Sequence, residues 1–133
     1  MDRKLQAHFL NLFSFALADA NVDVKETEKL YEIAIDRGIE RNELDYIIDN
    51  PHKVKFNIPS TEYDIAIQIL DIAKIIIADG IIDIREIIAL RDFLKRTIEN
   101  SKNVEEITEL VIDSVKNQVK DEIIVNKLIN LIK

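Results

Sequence analysis

The chain has 133 residues, 47% of them hydrophobic, with only two Gly and two Pro. That length supports one domain with its own core, and so few breakers among so many Leu, Ile, Lys and Glu residues point to an all-helical fold. The absence of cysteine excludes disulfides, thiolate metal centres and cysteine nucleophiles, and a net charge of −7 argues against a general nucleic-acid binder, which needs a basic surface. An acidic chain suits a cation or a basic partner.

The first helix is expected from Arg3 to Ala18, with Leu5, Phe9, Leu12, Phe13, Ala16 and Leu17 on one side at helical spacing. Arg3 and Lys4 ahead of an apolar stretch ending Ala16-Leu17-Ala18 have the outline of a secretory leader. His8, Asn11 and Ser14 interrupt that stretch, and it matches residues 61–78 in mid-chain, so it reads as a helix of the fold and the protein as cytoplasmic. A tight turn at Asp19–Val22 leads into a second helix from Asp23, with Leu30, Ile33 and Ala34 facing the core and Gly38 as its C-cap. A shorter helix follows from Arg41 to Asp49, and Pro51–Pro59 is the joint between two halves.

Ser60 and Thr61 start the fourth helix. Its polar residues Asp64, Gln68, Asp71 and Lys74 form one narrow stripe, so the helix is expected to be surrounded by others. The run from Ile65 to Ala78 is too short to span a membrane and is broken by Gln68, Asp71 and Lys74. A second turn at Asp79–Ile82 opens a fifth helix, Asp83 to Thr97. After Asn100-Ser101-Lys102 come a sixth, Val104 to Lys116, and a final amphipathic piece from Asp121. In that last piece Ile123, Ile124, Leu128 and Leu131 either complete the core or offer a face to a partner. The expectation is an all-α domain, 1–133, of about seven helices in two pseudo-symmetric halves (about 3–50 and 61–117) with a C-terminal helix at about 121–132.

The halves share a motif. Residues 18–26 read Ala-Asp-Ala-Asn-Val-Asp-Val-Lys-Glu and residues 78–86 read Ala-Asp-Gly-Ile-Ile-Asp-Ile-Arg-Glu, so Asp19, Asp23 and Glu26 recur as Asp79, Asp83 and Glu86 at a shift of 60 (79 − 19). The apolar frame keeps the same register: Leu5 matches Ile65, Phe9 Ile69, Leu12 Ile72, Leu17 Ile77 and Leu30 Leu90. Asp-x-x-Glu ahead of an apolar run is a capping box, and a carboxylate at a helix N-terminus suits the dipole. Asp19 and Asp79 instead fall at helix C-termini, where a surface carboxylate costs about 0.3–1 kcal/mol. A bound cation, a backbone N–H across the turn or a neighbouring Arg would offset that cost. Carboxylates and free carbonyls at such a corner are hard oxygen donors, suited to calcium, magnesium or manganese. The turns are not EF-hand loops, because Val24 and Ile84 stand where the sharp-turn Gly belongs, and Leu30 and Leu90 where the bidentate Glu belongs. Each turn alone is short of six to eight oxygens, so an ion there keeps waters or is shared between both turns.

Ala-Asp-Gly-x-x-Asp-x-x-Glu closing one helix and opening the next resembles the hallmark of the tellurite-resistance TerB-like family. The resemblance runs from Leu5 to about Leu131 and includes the stretch Asn50-Pro51-His52 through Ile58-Pro59-Ser60, similar to bacterial members. It implies an all-helical fold of pseudo-symmetric halves, a metal site at the acidic turns and a role in tellurite or other chemical stress, without enzymatic activity. Carried onto this chain, the implied ligands are Asp19, Asp23, Glu26, Asp79, Asp83 and Glu86. The first copy departs from the pattern, with Ala20 and Asn21 where Gly80 and Ile81 stand in the second.

Other features carry less. His8 reads as a boundary residue of the first helix, and His8 and His52 offer no ligand spacing. Lys53, Lys55 and Phe56 are too few to make a nucleic-acid surface in an acidic chain. No Ser-His-Asp arrangement or Gly-rich phosphate cradle is present in the sequence. Two functions stay open: a cation-binding stress module, and a metal-free scaffold in which the same acids cap helices while surface grooves bind a protein partner.

Overall fold

A computed structural model describes residues 3–16, 24–50, 61–78, 80, 82–98 and 103–133, excepting the side chains of residues 3–5, 14–16, 24 and 26. Among them are seven helices and no strand: α1 (Arg3–Ala16), α2 (Val24–Asp36), α3 (Arg41–Asp49), α4 (Glu62–Ile77), α5 (Ile84–Thr97), α6 (Val104–Lys116) and α7 (Asp121–Ile132). The fold is all-α, as composition and periodicity require. The joint at 51–60, the first acidic turn at 17–23 and the break at 99–102 lie outside the described residues.

Helix α4 is the axis of the domain. Ten of its sixteen residues are buried, among them Ile65, Ile69, Leu70, Ile72, Ile75 and Ile76, and α1, α2, α5, α6 and α7 all pack on it. Thr61 starts it by accepting the Asp64 N–H at 3.1 Å, which satisfies a donor that the first turn leaves without an intrahelical partner. Burying an Ile or Leu side chain contributes about 1.5–3 kcal/mol, so this one helix carries a large share of the core. The remaining helices present the stripes their spacing predicts: Phe9 and Leu12 from α1, Leu30, Ile33 and Ala34 from α2, Leu44 and Ile47 from α3, Leu90 and Leu94 from α5, Ile107 and Val111 from α6. In α7, Ile124 and Leu128 complete the core and Leu131 packs at its edge, whereas Ile123 stands exposed. Asn103 ties the start of α6 to the end of α7, donating to the Leu131 carbonyl at 2.7 Å.

Two helix ends use the same closing geometry. At Gly38 (φ +83°) the Ile39 N–H donates to Ala34 O at 2.9 Å and the Gly38 N–H to Ile35 O at 3.0 Å. This paired bonding ends a helix on a left-handed residue, for which Gly is the natural choice. After α6 the pattern recurs with Val119 N–H to Ser114 O at 3.0 Å and Gln118 N–H to Val115 O at 3.1 Å, but the left-handed residue is Gln118 (φ +57°). A Cβ is disfavoured in that conformation.

Two stability measurements check this account in urea denaturation. Ile72→Ala, at a fully buried position of α4, is expected to cost about 3–4 kcal/mol. Gln118→Gly is expected to stabilise by about 0.5–1 kcal/mol, the relief of left-handed strain outweighing the added freedom of the unfolded chain.

Candidate functional site

Three of the six carboxylates singled out by the repeat, Asp19, Asp23 and Asp79, lie outside the described residues, as does the Glu26 side chain. The second copy is represented by Asp83 and Glu86, together with Gly80, whose φ of +79° closes the exit from α4 with its N–H donating to Ile77 O at 2.8 Å. The glycine of the motif therefore occupies a position that an L-residue adopts only with strain.

Asp83 is the N-cap of α5. Its backbone is extended (φ −84°, ψ 127°) and its Oδ1 accepts the Arg85 N–H at 2.8 Å. The Arg85 side chain folds back on the same carboxylate, Nε to Oδ1 at 3.2 Å and Nη2 to Oδ2 at 3.0 Å. These bonds from the Arg85 side chain and then its backbone hold the Asp83 carboxyl below the usual carboxylate range. Both oxygens of Asp83 thus face a guanidinium supplied by the motif itself. Glu86, in the first turn of α5, is only 1% exposed and sits on the inward side of the helix. Capping by Asp83 is present, as the Asp-x-x-Glu spacing predicts. Among the described residues no group of three or more His, Asp or Glu side chains is gathered for a metal ion. Asp83 and Glu86 fit a hard cation in kind; the further oxygens it needs would be waters or backbone carbonyls.

The strongest electrostatic feature lies elsewhere. Asp71, at 0% exposure in the middle of α4, is gripped from two sides. Arg37, just beyond the end of α2, donates from Nη2 to Oδ1 at 2.8 Å and from Nε to Oδ2 at 3.2 Å. His8 of α1 places Nε2 2.7 Å from Oδ2. Burial alone pushes the Asp71 carboxyl up, but the bonds and charges of His8 and Arg37 outweigh it and hold the group below the usual range. Burial likewise disfavours the charge on Arg37, and Asp71 reverses that effect and raises its pKa. Beside the ion pair, Asn11 Nδ2 donates to Gln68 Oε1 and Gln68 Nε2 donates to the His8 carbonyl, both at 3.4 Å. The polar stripe of α4 is therefore partly covered by α1 and α2, with Gln68 and Asp71 inside the domain.

This cluster was visible in the sequence as two separate signals. His8 and Asn11 break the apolar run of α1, and at a shift of 60 they fall on Gln68 and Asp71. The structure pairs them crosswise, His8 with Asp71 and Asn11 with Gln68. Arg37 had no such marker.

A shallow groove of about 280 Å³ lies between α2, α4 and the start of α7, lined by Lys29, Glu32, Asp36, Lys74, Gln118 and Asp121. Lys74 is bound to Asp121 at 2.7 Å and Lys29 to Glu32 at 3.2 Å, so its charges largely satisfy one another. No helix among the described residues is long and apolar enough to cross a membrane.

Compared with known protein families, with characterised proteins and with solved structures, the chain finds no match. The TerB-like resemblance thus stands on the residues of the two acidic turns and their frame.

Asp71→Asn tests the buried cluster. Removing one partner of a buried ion pair costs about 3–5 kcal/mol; because the Arg37 side chain is 26% exposed and reaches water, the low end, about 3 kcal/mol, is expected. A depressed carboxyl stabilises the fold above its unfolded-state pKa, and that contribution disappears as pH falls through the lower folded value. The stability gap between wild type and Asp71→Asn, followed by urea melts, should be open near neutrality and close as pH drops below about 4.

Proposed function

We propose that this protein is a non-enzymatic, TerB-like module that binds a hard divalent cation, calcium, magnesium or manganese, at its acidic turns and acts in the cytoplasm in the response to tellurite or other chemical stress. The observation that carries this reading is the repeated acidic motif together with what its second copy does: Asp83 and Glu86 concentrate two carboxylates within the first turn of α5, one at its tip and one buried. The positive end of the helix dipole favours negative charge there, and hard oxygen donors define the class of ion. Arg85 occupies the counter-ion position of Asp83. In this reading an arriving cation displaces the guanidinium, so binding is an exchange of one positive partner for another.

A second reading has an observation of its own. The saturation of Asp83 by its backbone and side-chain bonds from Arg85 equally supports a metal-free scaffold, in which the acids start helices and the surface serves a protein partner.

Thermal melts of chelator-stripped protein titrated with calcium, magnesium and manganese separate the two. A ligand of the folded state raises the midpoint as its concentration passes the dissociation constant. The cation reading expects such a rise in wild type, its onset at lower concentration in Arg85→Ala, and its loss in Asp83→Asn. Flat titrations in all three proteins, with Asp83→Asn displaced by the same amount at every cation concentration, would establish the scaffold instead.

A further inference from the structure

The contacts among the helices divide the domain at α4. Helix α3 packs on α1 and α2, which also pack on each other; on the far side α6 packs on both α5 and α7. Helix α4 meets both groups, and beyond it the main contact between them is α1 against α5. The polar bonds follow the same division. Lys29–Glu32 and Tyr31–Asp45 stay within α1–α3, whereas Lys74–Asp121, Asp83–Arg85, Arg91–Glu105 and the Asn103–Leu131 bond stay within α4–α7. Those described above that cross, from His8, Asn11 and Arg37, all end on Gln68 or Asp71.

The groove of about 280 Å³ lies on this boundary. One wall is α2, with Glu32, Ile33 and Asp36; the other carries Val115, Val119 and Ile124. The ion pairs at its rim, Lys29–Glu32 and Lys74–Asp121, run along the walls and not across. Among the contacts described, polar attachment between the two sides is concentrated within one turn of α4. Gln68 and Asp71 stand three residues apart, so a shift of α1 or α2 disturbs their bonds together. If the sides part fully, however, Asp71 and Arg37 regain the hydration that burial removed, which returns much of the lost ion-pair energy. An apolar contact regains nothing from water. The boundary at α4 thus favours two states, closed with its charges matched or open with them hydrated.

We infer that the domain opens along this boundary, α1, α2 and α3 detaching from α4 as one unit while α4–α7 stay folded. Cooperative units that open below the global unfolding free energy commonly follow such groupings of helices. Opening uncovers the face of α4 that holds Gln68 and Asp71. Ile65, Ile72 and Ile75 lie three or four residues from that pair on the same face and are buried in the closed form. The fold thereby contains an apolar surface whose exposure one ion cluster helps to control. Nothing in this opening uses a bound cation.

Native-state hydrogen exchange of the full chain, read by NMR at graded urea below the unfolding transition, tests this opening. Sheltered amides of α1–α3 should share one opening, with a smaller urea dependence than those of α4–α7, which exchange through global unfolding. Two variants separate this behaviour from a single cooperative transition. Ile107→Val, at a fully buried site of α6, weakens the closed and open forms alike. It should speed exchange in α4–α7 about fivefold and leave α1–α3 unchanged. Asp71→Asn destabilises the closed form alone and should speed exchange in both groups by about a hundredfold. One protection and one urea dependence across the helices would overturn the inference, as would equal acceleration of both groups in Ile107→Val. So would opening of α1 apart from α2 and α3, or no acceleration of α1–α3 in Asp71→Asn. Wild type and Ile107→Val decide the matter even if Asp71→Asn does not fold.

Discussion

A carboxylate at the centre of an apolar helix must be matched by positive charge or it will not stay ionised, and in this domain that requirement falls on Asp71. The isoleucines around it make α4 the helix on which five others pack, so the position is as dry as any in the molecule. Two helices answer from different directions, α1 with His8 and the end of α2 with Arg37. Hydrophobic burial is indifferent to small slides of one helix over another; bidentate Arg–carboxylate geometry is not. The ion cluster therefore fixes how α1 and α2 sit on the central helix, while the isoleucines supply most of the driving force. Helix α4 also leads into the second acidic motif, whose described residues Gly80 and Asp83 follow it directly.

The described residues of the second acidic motif show how one short stretch serves several structural ends. Gly80 permits the sharp exit from α4, Asp83 starts α5, and Arg85 folds back to balance Asp83. At Asp83 the guanidinium already meets the negative charge without an ion. The cation reading and the scaffold reading thus differ in whether Arg85 is a permanent partner or a replaceable one.

The fold was legible because helices announce themselves through spacing. The bounds of α3, α6 and α7 coincide with those drawn from apolar periodicity and breakers, and Gly38 closes α2 at the glycine that the pattern marks. Helix α1 ends at Ala16 in the described residues, two short of the sequence expectation. The starts of α2 and α5 keep the shift of 60 (84 − 24), whereas α3 and α6 do not (104 − 41 = 63). Site chemistry was less legible. Asp83 as a cap followed from its spacing to Glu86, but its engagement by Arg85 did not, since a residue two positions along a helix ordinarily points elsewhere. The narrow polar stripe of α4 stood out in the sequence, but its partners did not, because hydropathy cannot tell a watered polar face from one met by a His and an Arg distant in sequence. Gln118 in a left-handed conformation was equally hidden, being a residue that composition would never place there.

The contact between α2 and α3 has an optical consequence. The chain contains no Trp and three Tyr, of which Tyr46 and Tyr63 are exposed. Tyr31 alone is partly sheltered, its hydroxyl donating to Asp45 and its ring lying 4.7 Å beneath the Arg41 guanidinium. That hydrogen bond, then burial, raises the phenol pKa, so Tyr31 keeps its proton into more alkaline solution than a free phenol. An asymmetric environment around the one sheltered phenol makes the tyrosine band of the near-ultraviolet dichroism chiefly a Tyr31 signal. The protein thus carries its own spectroscopic label at one helix junction, where docking of α3 on α2 can be followed without adding a dye.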